Sequence, residues 1–115
     1  MRYLCLIYRS DREVASLSKE ELETMMHDYS RFTDEIVGSG HHLGGEALQP
    51  VETATTVRVR NGRVSTTDGP FAETKEQLGG FYMIEARDLN EAIQIAARIP
   101  GARNGSVEVR PIREL

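Results

Sequence analysis

Six consecutive residues near the start of the chain, Tyr3-Leu4-Cys5-Leu6-Ile7-Tyr8, are apolar at both parities. An edge strand alternates apolar with polar residues, so this run reads as a central strand with both faces covered. The segment Gly80-Phe81-Tyr82-Met83-Ile84-Glu85-Ala86 repeats the pattern. A sheet built around these two strands needs a cover on each side, and a chain of 115 residues holds one modest core.

The helical signals supply one of those covers. Ser18-Lys19-Glu20-Glu21 matches a capping box, in which the serine oxygen takes an orphan N–H and the glutamate reaches back to the cap. A helix from about residue 19 then carries Leu22, Met25, Met26, Tyr29, Phe32, Thr33, Ile36 and Val37 on one stripe, and Gly38 and Gly40 end it. Asp88 caps a second helix with Glu91 three positions on. Its stripe is Leu89, Ala92, Ile93, Ala96 and Ile99, and Pro100-Gly101 stops it. Residues 9–17 and 100–105 read as flexible loops, and 43–50 as a short strand or irregular arm.

Thr55-Thr56-Val57-Arg58-Val59-Arg60, Asn61-Gly62 and Arg63-Val64-Ser65-Thr66-Thr67 read as a hairpin, because Asn-Gly supplies both residues of a type I′ turn. Val57, Val59 and Val64 are expected to face inward. Val107-Glu108-Val109-Arg110 is a last strand with one wet face. The order is β-α-β-hairpin-β-α-β, an α+β chain on the ferredoxin-like split βαβ plan, with two helices on one face of an antiparallel sheet. No residues remain for the other face. A second copy is the simplest cover, so a homodimer with sheets packed face to face is expected.

Other classes are excluded by composition. Fourteen Lys+Arg against 18 Asp+Glu, a net charge of −4, do not make the basic face that nucleic acid requires. No apolar run approaches a membrane span, and Cys5, the single cysteine, has no partner within the chain. A cytoplasmic protein bound to neither nucleic acid nor membrane is the expectation.

Strand and helix needs do not account for Thr66-Thr67-Asp68-Gly69-Pro70-Phe71-Ala72-Glu73-Thr74-Lys75-Glu76-Gln77-Leu78-Gly79-Gly80-Phe81-Tyr82. This run resembles the DGPF-containing proteins of the YCII-related superfamily. Gly44-Gly45-Glu46-Ala47-Leu48-Gln49-Pro50, Thr53-Ala54-Thr55-Thr56-Val57-Arg58 and Val107-Glu108-Val109-Arg110-Pro111 resemble that family too, so the likeness spans essentially the whole chain. It implies a ferredoxin-like protomer in a dimeric α/β-barrel, a biochemical role largely unassigned, and an association with sigma factors. Some relatives in the wider superfamily resemble lyases that use a helix histidine with an aspartate near the end of the second helix. Here that helix end reads Ile99-Pro100-Gly101, and His27 lies about 150° from the centre of the apolar stripe. Tyr29 is the polar-tipped residue on the inward side.

Asp68-Gly69-Pro70 is a turn sequence in its own right. In the functional reading Asp68 is aimed into a pocket, with Glu73, Lys75 and Glu76 carried by the segment that follows. Adjacent His41 and His42 point to opposite faces of a strand and would not chelate one ion, although His42 and Glu46 share a parity. Gly38, Gly40, Gly44 and Gly45 follow a helix, whereas a dinucleotide loop opens one. Neither a cofactor nor a metal is expected. Arg58, Arg60 and Arg63 gather at the hairpin tip, and Cys5 is core.

The leading expectation is a small-molecule binding or sensing module with a pocket near 68–76, where Glu46, Arg58, Asp68, Phe71 and Lys75 meet a small polar metabolite. The alternative is an acid/base enzyme, a lyase or isomerase, with Asp68 or Glu73 as base and Tyr29 or His42 as proton donor. A third is a protein-interaction partner linked to sigma-factor regulation.

Overall fold

The computed structural model describes all of residues 1–115. Ser18 Oγ accepts from the Glu21 N–H at 3.1 Å and the Glu21 carboxylate accepts from the Ser18 N–H at 3.0 Å, so the long helix begins as its capping box dictates. It runs over Lys19–Gly38 and ends in a Schellman motif. Gly40, at φ +80°, donates to the Val37 carbonyl, and His41 donates to the Ile36 carbonyl. Asp88 accepts from the Glu91 N–H at 2.9 Å and opens the helix Leu89–Ala96.

The strands are β1 (Arg2–Arg9), β2 (His42–Ala47), β3 (Thr55–Arg60), β4 (Arg63–Asp68), β5 (Gln77–Glu85) and β6 (Ser106–Pro111). The helices are α1 (Asp11–Ala15), α2 (Lys19–Gly38) and α3 (Leu89–Ala96). Four strands form an antiparallel sheet in the order β2-β5-β1-β6, while β3 and β4 pair only with each other. The two doubly apolar runs are the central pair, in the register Leu4↔Met83, Cys5↔Tyr82 and Leu6↔Phe81. The α+β class and the antiparallel sheet stand as read from the sequence.

Alternation along β1 divides its side chains between two faces. Tyr3, Cys5 and Ile7 are buried under the helices with Phe32 and Ile36 of α2, Ile84 of β5, and Ala92, Ile95, Ala96 and Ile99. Leu4, Leu6 and Tyr8 share the opposite face with Met83, Phe81 and Leu78, and nothing within the chain covers it.

Four sequence expectations are corrected. Val57, Val59 and Val64 do not face a core, being 60%, 57% and 70% exposed. The type I′ turn forms, with positive φ at Asn61 and Gly62, but the hairpin stands away from the main sheet. Met26, Val37, Leu89 and Ile93 are also exposed. Each lies on the flank of its helix, roughly 90–130° from a contact line centred on Phe32 and Ile36 in α2 or Ala92 and Ile95 in α3. Within 9–17 lies α1, capped by Ser10 Oγ, which accepts from the Glu13 N–H. Within 100–105, Ala102 donates to Ile99 and Gly105 to Gly101. Finally, Leu43 is an extra residue between the pairs His42↔Ile84 and Gly44↔Met83. This bulge places His42 on the helix face and Glu46, opposite Phe81, on the open face, so they do not share a side.

The hairpin also sets the overall shape. The radius of gyration is 15.9 Å and the extents are 47 × 44 × 18 Å, whereas a compact domain of this length has a radius near 13 Å.

Candidate functional site

The helix-facing side of the sheet changes character along its length. Under α3 and the C-terminal part of α2 it carries Tyr3, Cys5 and Ile84. Toward the β2 edge the floor is Gly45, Ala47 and Gly80, which the register aligns as Gly45↔Tyr82 and Ala47↔Gly80. Side chains are excluded there by backbone proximity. A Cβ on Gly45 would lie 2.7 Å from the Phe81 carbonyl oxygen, and one on Gly80 would lie 2.9 Å from that of Glu46. With nothing larger than the Ala47 methyl rising from this floor, α2 passes above a cleft of about 430 Å³.

Met25, Met26, Tyr29 and Thr33 form its roof, His42 and Tyr82 one wall, and Ile7 and Arg9 the other. Thr33 Oγ1 donates to the Tyr29 carbonyl at 2.9 Å and is 2.7 Å from the Tyr82 hydroxyl. A threonine hydroxyl has one proton, so Tyr82 donates to Thr33 and keeps its own lone pairs free. Edge-to-face contacts hold the Tyr82 ring, at 5.1 Å from Phe32 and 6.2 Å from His42. Burial pushes the Tyr29 hydroxyl above the usual tyrosine range, against a smaller opposing pull from the Gly101 backbone. Tyr29 therefore stays a neutral donor at physiological pH.

Arg9 enters through a second bulge. Gly79 is the extra residue between Ile7↔Gly80 and Tyr8↔Leu78, and a Cβ there would lie 2.5 Å from Arg9 Nε. That Nε is buried without a hydrogen-bond partner. Its distance to Asp11 Oδ1 is 3.5 Å, and Nη2 is 3.5 Å from the Leu48 carbonyl. Asp11 is otherwise engaged, its Oδ2 accepting from the Val51 N–H at 2.7 Å.

A second, polar cleft of about 920 Å³ lies between α1, the first half of α2 and residues 100–105. Arg9, Met25 and Tyr29 line both clefts. In the second, Asp28 is paired with Arg103 at 3.0 Å, and Glu21 is spent on the helix cap. No three His, Cys, Asp or Glu side chains come together as a metal site anywhere in the chain.

The expected site residues separate into two groups. Tyr29 and His42 line the cleft under α2, which Glu46 meets with its backbone while the register turns its side chain to the open face. Asp68, Glu73, Arg58, Phe71 and Lys75 line neither cleft. The segment around Asp68 is a clamped turn: Gly69, at φ +105°, donates to the Ala54 carbonyl at 2.7 Å and accepts from Thr56 Oγ1 at 2.8 Å. Phe71 is 81% exposed, and Arg58 reaches only its carbonyl, at 3.5 Å. Glu76 accepts from Ser106 Oγ. The adjacent histidines diverge, His41 bonding Ser39 Oγ at 2.7 Å and lying 3.4 Å from Glu91, while His42 faces the cleft.

Sequence reasoning missed Arg9, Thr33, Tyr82 and the glycine floor as parts of a site. The signal was present as two Gly-Gly pairs, 44–45 and 79–80, which fall on neighbouring strands.

The sequence model of the YCII-related domain matches residues 1–115. The chain belongs to the YCII-related family. An uncharacterized protein of Rhizobium meliloti (strain 1021) is 43% identical over 115 positions, covering 97% of this chain and 92% of the relative. In this YCII-related chain the helix histidine, His27, is exposed and lines neither cleft. The end of α3 leads into Pro100 and Gly101 with no aspartate. No helix is long and apolar enough to cross a membrane.

Proposed function

We propose that this chain is a homodimeric small-molecule binding module whose ligand occupies the cleft under α2. The glycine floor carries the proposal. Well-packed interiors leave few voids larger than a water. Here the backbone of β2 and β5 excludes side chains just where Tyr29, His42 and Tyr82 converge over apolar walls. An apolar concavity with a few directed polar groups is the ordinary form of a ligand site.

The assembly rests on other features. The strand order β2-β5-β1-β6, with α2 and α3 as crossovers, supports a ferredoxin-like plan and a dimeric α/β-barrel. Leu4, Leu6, Phe81 and Met83 line a sheet face that the chain leaves open. The hairpin presents Val57, Val59 and Val64 on one side and Arg58, Arg60 and Arg63 on the other. An isolated two-stranded hairpin is marginal in water, and an arginine-bearing arm complements a chain of net charge −4. A second copy answers both needs and brings the arm, with Asp68 and Phe71 at its base, within reach of its partner. A cytoplasmic location suits the unpaired thiol of Cys5.

The test is a thermal-shift screen of small polar metabolites, with light scattering on the same samples. Saturating ligand raises the midpoint of a domain this size by several degrees. Met26→Trp, which fills the cleft mouth from an exposed position, removes that shift, while Asp68→Asn keeps it. Shifts that survive Met26→Trp and vanish in Asp68→Asn place the site at 68–76 instead. A monomer at micromolar concentration refutes the assembly. Turnover is the second reading, favoured by the shared cleft of Tyr29 and His42, which sets a phenol donor beside an imidazole able to give or take a proton. It requires that a stabilising compound be consumed.

A further inference from the structure

We infer that the ligand class of this cleft is a small organic monocarboxylate with a compact apolar body, its carboxylate meeting the guanidinium of Arg9. The inference rests on the cleft being the binding site and adds the chemistry of what it holds. Arg9 is the one Lys or Arg lining the cleft. Its donors are under-used, with Nε lacking a partner and the Leu48 carbonyl taking a single bond at 3.5 Å. Asp11 approaches no closer than 3.5 Å and spends its other oxygen on the Val51 N–H. A guanidinium is planar and always charged, and it suits a carboxylate in two parallel hydrogen bonds.

Charge and size narrow the class. The lining holds one acidic residue, Glu46, and the register turns it to the other face of the sheet, so a ligand ammonium finds no partner. A single arginine already shadowed by Asp11 leaves a phosphate dianion under-compensated. Met25, Met26 and Ile7 suit an apolar body, and about 430 Å³ lies toward the small end of ligand pockets. Tyr82, with its proton committed to Thr33, offers lone pairs to a hydroxyl on that body.

The test compares acid with amide on the intact protein. Benzoate and benzamide, then hexanoate and hexanamide, are titrated by NMR into wild type and Arg9→Gln. Each acid binds wild type about ten-fold or more tighter than its amide, as a charge-assisted bond requires. Arg9→Gln brings the acid down to the level of the amide and leaves the amide unchanged. Equal binding of acid and amide to wild type overturns the carboxylate assignment and leaves the cleft standing. No binding by any of the four overturns both. The wild-type comparison decides the matter even if Arg9→Gln does not fold.

Discussion

Alanine placed at two glycines of the cleft should have unequal consequences, because what each Cβ would strike is different. At Gly45 the obstacle is the Phe81 carbonyl oxygen, 2.7 Å away, with Tyr82 Cδ1 at 3.1 Å. Neither gives way without moving β2 off the sheet edge. At Gly79 the obstacles are Arg9 Nε at 2.5 Å and Arg9 Cδ and Cζ at 2.9 Å, the far part of a flexible side chain that can swing aside. Neither glycine has a positive φ, so both alanines gain roughly 0.5–1 kcal/mol from a stiffer unfolded chain. Overpacking against fixed backbone costs about 1–3 kcal/mol, leaving Gly45→Ala destabilised by about 1–2 kcal/mol. Displacing Arg9 loses only a long, part-exposed ion pair worth about 0–1 kcal/mol, so Gly79→Ala lies near neutrality. For a 115-residue domain a change of 1 kcal/mol moves the midpoint by about 4 °C. Circular-dichroism melts should therefore show Gly45→Ala down by roughly 4–8 °C and Gly79→Ala within about 3 °C of wild type. Gly79→Ala should also lose the preference for benzoate over benzamide, its guanidinium having been evicted. A Gly79→Ala variant less stable than Gly45→Ala, or one that keeps the acid preference, refutes the reasoning.

Tyr82→Phe removes one hydrogen bond and leaves the ring contact with Phe32 intact, so it should cost about 1 kcal/mol. A double-mutant cycle with Thr33→Val should show coupling of about 0.5–1 kcal/mol, and strict additivity contradicts the 2.7 Å bond. Burial pushes the Cys5 thiol up to about 11, so about one molecule in a thousand carries thiolate at pH 8. Ellman's reagent should therefore react only after denaturation, and prompt reaction with the native protein contradicts the burial. Glu21, Glu91 and Glu114 are held below the usual carboxylate value by bonds from the Ser18 N–H, the Arg87 N–H and the Arg2 guanidinium respectively. A carboxyl whose pKa falls on folding contributes stability above its unfolded value and loses it as pH drops through the folded one. The midpoint should decline below about pH 4.5, and Glu91→Gln should shallow that decline. An acid limb unchanged in that variant counts against it.

The secondary structure was legible wherever one local rule acted alone. Ser18 with Glu21, Asp88 with Glu91, and Asn61-Gly62 each fixed an element before any tertiary contact was known. The central pairing was equally legible, since both runs carry apolar residues on both faces. Periodicity misled where a pattern is necessary but not sufficient for burial. The valines of β3 and β4 alternate as a half-buried strand should, yet nothing in their own chain lies over them. The site was less legible, because it depends on register. One inserted residue at Leu43 turned His42 away from Glu46, and another at Gly79 opened a seat for Arg9. Neither bulge has a spacing rule that single-sequence reasoning can apply. The charged segment at 68–76 drew attention by its density of ionisable groups, whereas the cleft is defined by glycines, whose contribution is the space they leave.

The most direct measurement is amide-resolved NMR mapping during titration of the intact protein with benzoate and, separately, with benzamide. Saturable shifts should concentrate at residues 25–33, 42–47 and 79–82, with Arg9 responding to the acid alone. Saturable shifts concentrated at 68–76, with the cleft amides unmoved, would contradict the placement of the ligand under α2.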